Sequence, residues 1–411
     1  MAWRPATPAN TLAGLVKTGG GGGAETNVQR VNGLLAIKAF AGTLDGLFLD
    51  NHSIAGMVEY PWASLAGHAG DAGNDTGGGL GFANDTALTG FCADSLTSLV
   101  GSVKIYQCSA FVTWDTPLLA SISGRLAIYG CAAMASLAFA SLASVNSGAD
   151  LTLYTNAGLL SINLSALTAC NGLVYVYNHA SLTTINLSAL TAIGLAGNLY
   201  ISTNAALTTC QLAALITCSG IFKCLGPSAI TTLTLSSLTT VQGTLFWING
   251  NSSLTSLNLS AWSFLSGEAK INDNIALTSL NLSALVTIAN SATLQIAGNT
   301  LLASLNLSGW TGLVSSTPVT SNVFVTDNPA LVTLTVGATI ATADNFQFDA
   351  SGCALNTASV DAILAAYAAG IGATTTGIID LSGGTNSAPT NGASNADYLT
   401  LTGAGITVSI N

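Results

Sequence analysis

Charge is scarce in this chain. Of its 411 residues, 8 are Lys or Arg and 18 are Asp or Glu, a charged fraction of 6%, against roughly 25% in ordinary soluble domains. The cations Arg4, Lys17, Arg30, Lys38, Lys104, Arg125, Lys223 and Lys270 form no cluster in sequence. Nucleic-acid binding needs concentrated positive charge and is set aside as a function. A net charge of −10 also opposes an anionic membrane surface. Apolar residues make up 49% of the chain, yet no run reaches the ~18 residues of a membrane helix. No membrane insertion is therefore expected. The start, Met1-Ala-Trp-Arg-Pro-Ala-Thr-Pro8, lacks the apolar core of a secretory signal.

Catalytic and metal-binding patterns are equally sparse. The three histidines, His52, His68 and His179, are scattered, and none of the eight cysteines lies in a C-x-x-C pair. Zinc is not expected. No P-loop, G-x-S-x-G or H-E-x-x-H occurs. Asp45, Asp50, His52 and Glu59 gather near the N-terminus; ordinary loop hydrogen bonding is the expected role of His52. Gly70–Gly79 carries the oxygen donors Asp71, Asn74 and Asp75 but not EF-hand spacing, so a Gly/Asp turn is expected rather than a calcium loop. No enzyme, cofactor or metal site is expected.

What the chain does have is a phrase repeated eleven times. It opens at Leu88, Phe111, Met134, Leu159, Leu182, Leu207, Ile230, Leu254, Leu277, Leu302 and Leu331, mostly 23–25 residues apart, with a last step of 29. Leu277-Thr-Ser-Leu-Asn-Leu-Ser-Ala-Leu285 is a clear copy. A fixed period of this length means stacked units. About ten residues later comes a second apolar phrase, such as Leu199-Tyr-Ile201, Leu245-Phe-Trp-Ile248 or Leu294-Gln-Ile296. Both phrases are short and alternate apolar with polar residues, which is strand periodicity. Gly, Asn and Ser between them supply turns. Each coil should hold at least two strands, and like strands should stack into parallel sheets.

A ladder of corner residues fixes the register. Three positions before the phrase stand Asn156, Asn204, Asn251, Asn274, Asn299 and Asn328, with Cys108 and Cys131 at the same place in early copies. A buried corner needs a side chain that satisfies backbone groups which have left the sheet. His179 follows Asn178 at the corner before Leu182, and Pro227 before Ile230 predicts a distorted corner. The eight cysteines read as free, buried thiols, Cys210 replacing a core Leu. Cys108 with Cys131, then Cys218 with Cys224, are the nearest to pairs.

These phrases, with Gly197-Asn-Leu-Tyr-Ile-Ser-Thr-Asn204, resemble the leucine-rich-repeat and receptor-L-domain superfamily, in its bacterial and bacteriophage surface forms. Ile379–Pro389 is similar to end segments of phage structural and bacterial surface repeat proteins. The resemblance covers about residues 88–411. It implies a mainly β fold: a leucine-rich-repeat-like parallel β-solenoid of about eleven 23–25-residue coils. Residues 1–85 are then a non-repeat attachment and capping region with a joint at Gly19–Gly23, residues 86–352 the solenoid, and residues 353–411 an α/β cap. In the cap, a helix is predicted over 359–369 with Ser359 as N-cap, Asp361 at its positive end and Gly370 as its stop. A strand at 378–381, a second helix near 393–402 and a closing strand at 406–410 follow.

The expected function is a non-enzymatic structural or binding protein. The first expectation is a virion component such as a tail fibre, receptor-binding or decoration protein, docked to other virion proteins through residues 1–85. The alternative is an extracellular or bacterial cell-surface adhesin. A host-surface glycan or protein and further copies of the chain are the partners left open. Trp114 and Trp262 are expected in the core or at its corners. An outward stripe of Tyr175, Tyr200, Lys223, Phe246, Gln295 and Phe324 is the expected interaction face, since exposed aromatic stripes on solenoid sheets mark binding surfaces.

Overall fold

The computed structural model describes residues 79–411, apart from short gaps at 94–95, 100–101, 227–228, 290, 315–321, 343 and 373–375. Upstream it describes only the strands Val28–Val31, Leu34–Ile37, Leu47–Asp50, Gly56–Glu59 and Ser64–Leu65. Burial is described from Phe82 onward. Asp45, His52, Asp71, Asn74, Asp75, Pro227, the side chains of Asp50 and Glu59, and the joint at Gly19–Gly23 lie outside the described residues.

The chain is a parallel β-solenoid of about ten turns. Each coil holds three strands, one more than the two apolar phrases mark. In one coil the Leu-x-x-Leu phrase gives Ser256–Asn258, a two-residue strand follows at Phe264–Leu265, and the second phrase gives Glu268–Asn272. Two residues are too few to show alternation, so the middle strand carried no sequence signal. Seven apolar side chains of this coil point inward: Leu254, Leu257, Leu259, Trp262, Leu265, Ala269 and Ile271 are all at most 4% exposed. Burying a Leu or Ile contributes about 1.5–3 kcal/mol, before cavity effects. Trp262 and Trp310 are fully buried and donate their indole N–H to the carbonyls of Phe264 and Gly312.

Two compact units make up the chain. The first comprises Met1–Leu190, Ala196–Leu199 and Thr203–Leu207. Its broad sheet stacks Leu47–Asp50, Gly79–Ala83, Ser102–Tyr106, Arg125–Tyr129, Asp150–Tyr154 and Leu173–Tyr177, all parallel and in register. Strands upstream of residue 85 therefore already join repeat sheets: Gly56–Glu59 pairs with Leu88–Cys92, and Ser64–Leu65 with Ser98–Leu99. Val28–Val31 closes this end antiparallel to Leu34–Ile37.

The second unit comprises Thr191–Leu195, Tyr200–Ser202 and Thr208–Asn411. Its broad sheet stacks Ile221–Leu225, Leu245–Asn249, Glu268–Asn272, Thr293–Ala297, Asn322–Phe324 and Phe346–Asp349, then continues into the cap strands Gly377–Asp380 and Thr407–Ser409. Two cap helices pack on this end, α1 (Thr357–Gly370) and α2 (Ala396–Gly403). The N-cap of α1 is Asn356, whose side chain accepts from the Ser359 N–H, not Ser359 itself. Ser359 is buried, and its hydroxyl accepts from Leu334 N–H. Asp361 does not serve the helix end; it accepts from the backbone N–H and hydroxyl of Thr390, tying the cap loop down.

The corner ladder is built as a chain of hydrogen bonds. In the second unit, Asn299 donates to the Ile271 carbonyl at 2.8 Å and accepts from the Asn274 N–H at 3.0 Å. Asn274 and Asn328 repeat the pattern, and Asn251 donates to the Cys224 carbonyl. In the first unit Asn156 and Asn204 do the same. The thiols of Cys108 and Cys131 donate weakly to nearby carbonyls. The ladder is longer than the repeat phrase shows. Asp85 accepts from Ala87 and Leu88 N–H, and Asn386 takes up the Leu355 N–H and the Ala350 carbonyl. Just before the ladder residue, the backbone turns left-handed in coil after coil: Gln107, Gly130, Thr155, Asn178, Thr203, Gly250, Asp273, Gly298, Asp327 and Gly352 all have φ between 53° and 70°.

No disulfide joins any of the eight cysteines, and all but Cys92 are buried. Burial pushes the thiols of Cys131, Cys170 and Cys224 up to about 12, and those of Cys108 and Cys353 to about 11.

Candidate functional site

The broad sheet presents one face to the core and one to solvent. In Leu173–Tyr177, Ile221–Leu225 and Leu245–Asn249 the second and fourth residues are buried and the first, third and fifth are partly exposed; in Arg125–Tyr129 and Asp150–Tyr154 the third residue, Ala127 or Thr152, is small and buried as well. Parallel in-register stacking turns each outward position into a column along the sheet. The third and fifth columns carry the chemistry.

In the second unit the third column reads Lys223, Trp247, Lys270, Gln295, Phe324 by strand pairing. Tyr200 stands beside Lys223, whose Nζ lies 4.9 Å from the Tyr200 ring centre and 5.1 Å from that of Trp247. Lys270 Nζ is 4.8 Å from the Trp247 ring and 2.6 Å from Glu268 Oε1. Cations and rings thus alternate, each ammonium held against a negative ring face. Lys223 has no carboxylate within ion-pair reach among the described residues. The Trp247 indole N–H is buried without an acceptor. Partial burial raises the Tyr200 phenol above its ordinary range.

Of the six residues expected on the stripe, Tyr200, Lys223, Gln295 and Phe324 lie together on this face. Phe246 does not. It is fully buried, stacked 5.1 Å from Phe222 and tilted against Trp262 at 5.8 Å. The correct alignment sets Phe246-Trp247-Ile248 against Leu199-Tyr200-Ile201, one residue later than the phrase starting at Leu245. A slip of one residue exchanges the two faces of a strand. Trp247 is the outward ring.

Tyr175 belongs to the first unit, where the outward face is a tyrosine ladder. Tyr106, Tyr129, Tyr154 and Tyr177 occupy one column. Tyr106 and Tyr129 stack at 5.0 Å and 8°, Tyr129 and Tyr154 at 4.2 Å and 12°. Tyr175 stacks 5.5 Å from Tyr177. Burial, then the neighbouring Tyr177 and Tyr154, push its phenol up. Arg125 faces Asp150 at 3.6 Å on the same sheet, and Lys104 leans on Tyr106 at 5.4 Å. The Tyr column was readable from the recurring final Tyr of Lys104-Ile-Tyr106, Ala127-Ile-Tyr129 and Thr152-Leu-Tyr154, but only sheet register puts these residues in contact.

Every cation from Phe82 to Asn411 (Lys104, Arg125, Lys223 and Lys270) stands on an outward broad-sheet position. So do six of the eight tyrosines in that span, the others being Tyr367 and Tyr398. A second feature of the second unit is a hollow of about 400 Å³ between Thr209–Gln211 and Thr232–Thr234, where the strand ladder is interrupted. Hydroxyls, Gln211 and Cys210 line it, a set with no acid–base pair. Among the described residues no three His, Cys, Asp or Glu side chains converge on a common point, and no helix is long and apolar enough to cross a membrane. No profile of a known protein family matches the chain, and no curated protein sequence matches it.

Proposed function

We propose that this chain is a non-enzymatic recognition scaffold whose solenoid holds the outer face of the broad sheet against an external partner. One observation carries the reading: in a chain with 6% charged residues, all the cations and most of the tyrosines from Phe82 onward stand on that face. Core packing does not require them there, because outward positions of other strands are filled by small polar residues, as in Ser256–Asn258 and Ser279–Asn281. Half-buried rings on a rigid support bind at low conformational cost, as Tyr and Trp do in recognition surfaces. The setting we infer is a surface-presented component, first of a phage particle attached through residues 1–85 and otherwise of a bacterial envelope.

Retention of the purified full chain on host envelope fractions tests the face. Tyr129→Ala with Tyr154→Ala, and separately Trp247→Ala, should each cut retention several-fold with melting unchanged. Full retention in both variants sinks the reading. Mass spectrometry of purified particles tests the setting: stoichiometric recovery with capsid or tail proteins supports the virion role, and recovery from envelopes alone moves it to an adhesin.

A further inference from the structure

We infer that the Tyr200–Lys223–Trp247–Lys270 column of the second unit takes a linear acidic polysaccharide whose carboxylate recurs on every second sugar. This rests on the recognition reading above and names its ligand. Parallel strands repeat at about 4.8 Å, and a pyranose ring in an extended chain advances by a similar step. A glycan lying along the column therefore sets one sugar over each coil. The coils offer, in order, a ring, a cation, a ring and a cation, followed by the amide of Gln295 and the ring of Phe324.

The C–H faces of sugars pack on Tyr200 and Trp247, as apolar surface packs on aromatic rings. Carboxylates on alternate sugars face the Lys223 and Lys270 ammoniums, two coils apart, the second already paired with Glu268 at 2.6 Å. Lys223 is the better of the two, because rings hold it and no carboxylate among the described residues is within ion-pair reach. The rest of the chain is acidic, so an anion is drawn to this strip and to little else on the unit. Beyond Phe324 the same column carries Asp349 and then Asp380, which repel an acidic chain and mark where the strip ends. An extended peptide is a poorer occupant. The broad-sheet strands between Leu245 and Phe324 are paired on both sides, leaving no edge for strand addition. Two lysines are too few for a nucleic-acid backbone.

Titration of the full chain with hyaluronan oligosaccharides (one carboxylate per disaccharide), polygalacturonate (one per sugar) and neutral dextran tests this. The expected result is binding of hyaluronan ahead of polygalacturonate, none of dextran, and weakening with salt. Lys223→Gln with Lys270→Gln should lower affinity about ten-fold at low salt, and Trp247→Ala should lower it by a similar factor. Both variants should melt with the parent; the milder Trp247→Phe, which keeps a ring, should retain most binding and serves if Trp247→Ala fails to fold. Equal binding of dextran, preference for polygalacturonate, an unaffected double Gln variant, or no binding of any of the three overturns the ligand class. The envelope assay separates the two failures. If Trp247→Ala still loses envelope retention, the face stands and only the acidic glycan falls; if Trp247→Ala and the Tyr129→Ala, Tyr154→Ala variant both keep full retention, both readings fall.

Discussion

His179 shows how one side chain substitutes for another when the backbone dictates the geometry. It is fully buried in the corner ladder where its neighbours are Asn. Nδ1 lies 3.2 Å from the Asn156 nitrogen and 3.3 Å from its carbonyl oxygen, and Nε2 lies 3.1 Å from the Leu153 carbonyl. A neutral ring protonated on Nε2 accepts from the Asn156 N–H and donates to Leu153; an imidazolium donates to both carbonyls and leaves the Asn156 N–H without that acceptor. Burial pushes its pKa below the ordinary 6.5, against the smaller raising effect of the two carbonyls. The unfolded chain then binds the proton first, so stability is full above about pH 6.5 and falls as pH drops below it. His179→Asn should fold and flatten the fall in melting temperature between pH 6.5 and 5; an unchanged slope would assign it to another group. Thr155 and Thr203 are β-branched residues in the left-handed region, at φ 54° and 57°, where the same corner elsewhere uses Gly. Thr155→Gly should raise stability by about 1 kcal/mol, read from denaturant midpoints; a lower midpoint would show that the Thr side chain contributes more than its backbone costs.

The strand and corner together set what each coil tolerates. Before the broad strands the backbones of successive coils come close at Gly220, Gly243 and Gly267. A Cβ on Gly243 would lie 1.7 Å from the Gly220 carbonyl oxygen, with backbone rather than a movable side chain in the way. Gly243→Ala should therefore destabilise by roughly 3 kcal/mol, seen as a shift in urea midpoint, whereas Gly403→Ala, with nothing within 4 Å, should shift it little. Ladder loss is the converse case. Asn299→Ala orphans the Ile271 carbonyl and the Asn274 N–H and should cost about 2–3 kcal/mol; a cost under half of that would mean water enters the corner. The repeat phrase made the coil, its parallel stacking and the Asn ladder legible. It hid the two-residue middle strand and the one-residue offset at Phe246, because short phrases define their period poorly.

For the whole molecule, the cysteines give the clearest test. Seven of eight thiols are buried, and five of them ionise only near 11–12 in the folded state against 9.0 as the reference value. The unfolded chain loses these protons first, so stability is full below about pH 9 and declines as pH rises toward 11–12. At pH 8 a thiol reagent should label Cys92 first and the remaining seven only on unfolding. Rapid native labelling of several thiols would contradict the packing. Solenoid stability sums over coils and their neighbour contacts, so single-site changes should act within their own unit.

The sequence by itself determined the solenoid, because a stacked coil must repeat its inward residues at a fixed spacing and that spacing survives in one dimension. It also determined the corner ladder, because a backbone turn demands the same acceptor and donor each time. Only the tertiary structure decided which face each ring takes, that Trp247 and not Phe246 stands outward, and that Lys223 and Lys270, 47 residues apart in the chain, share one strip. Those facts depend on register between strands, and register is settled by the core packing of neighbouring coils rather than by any phrase read alone.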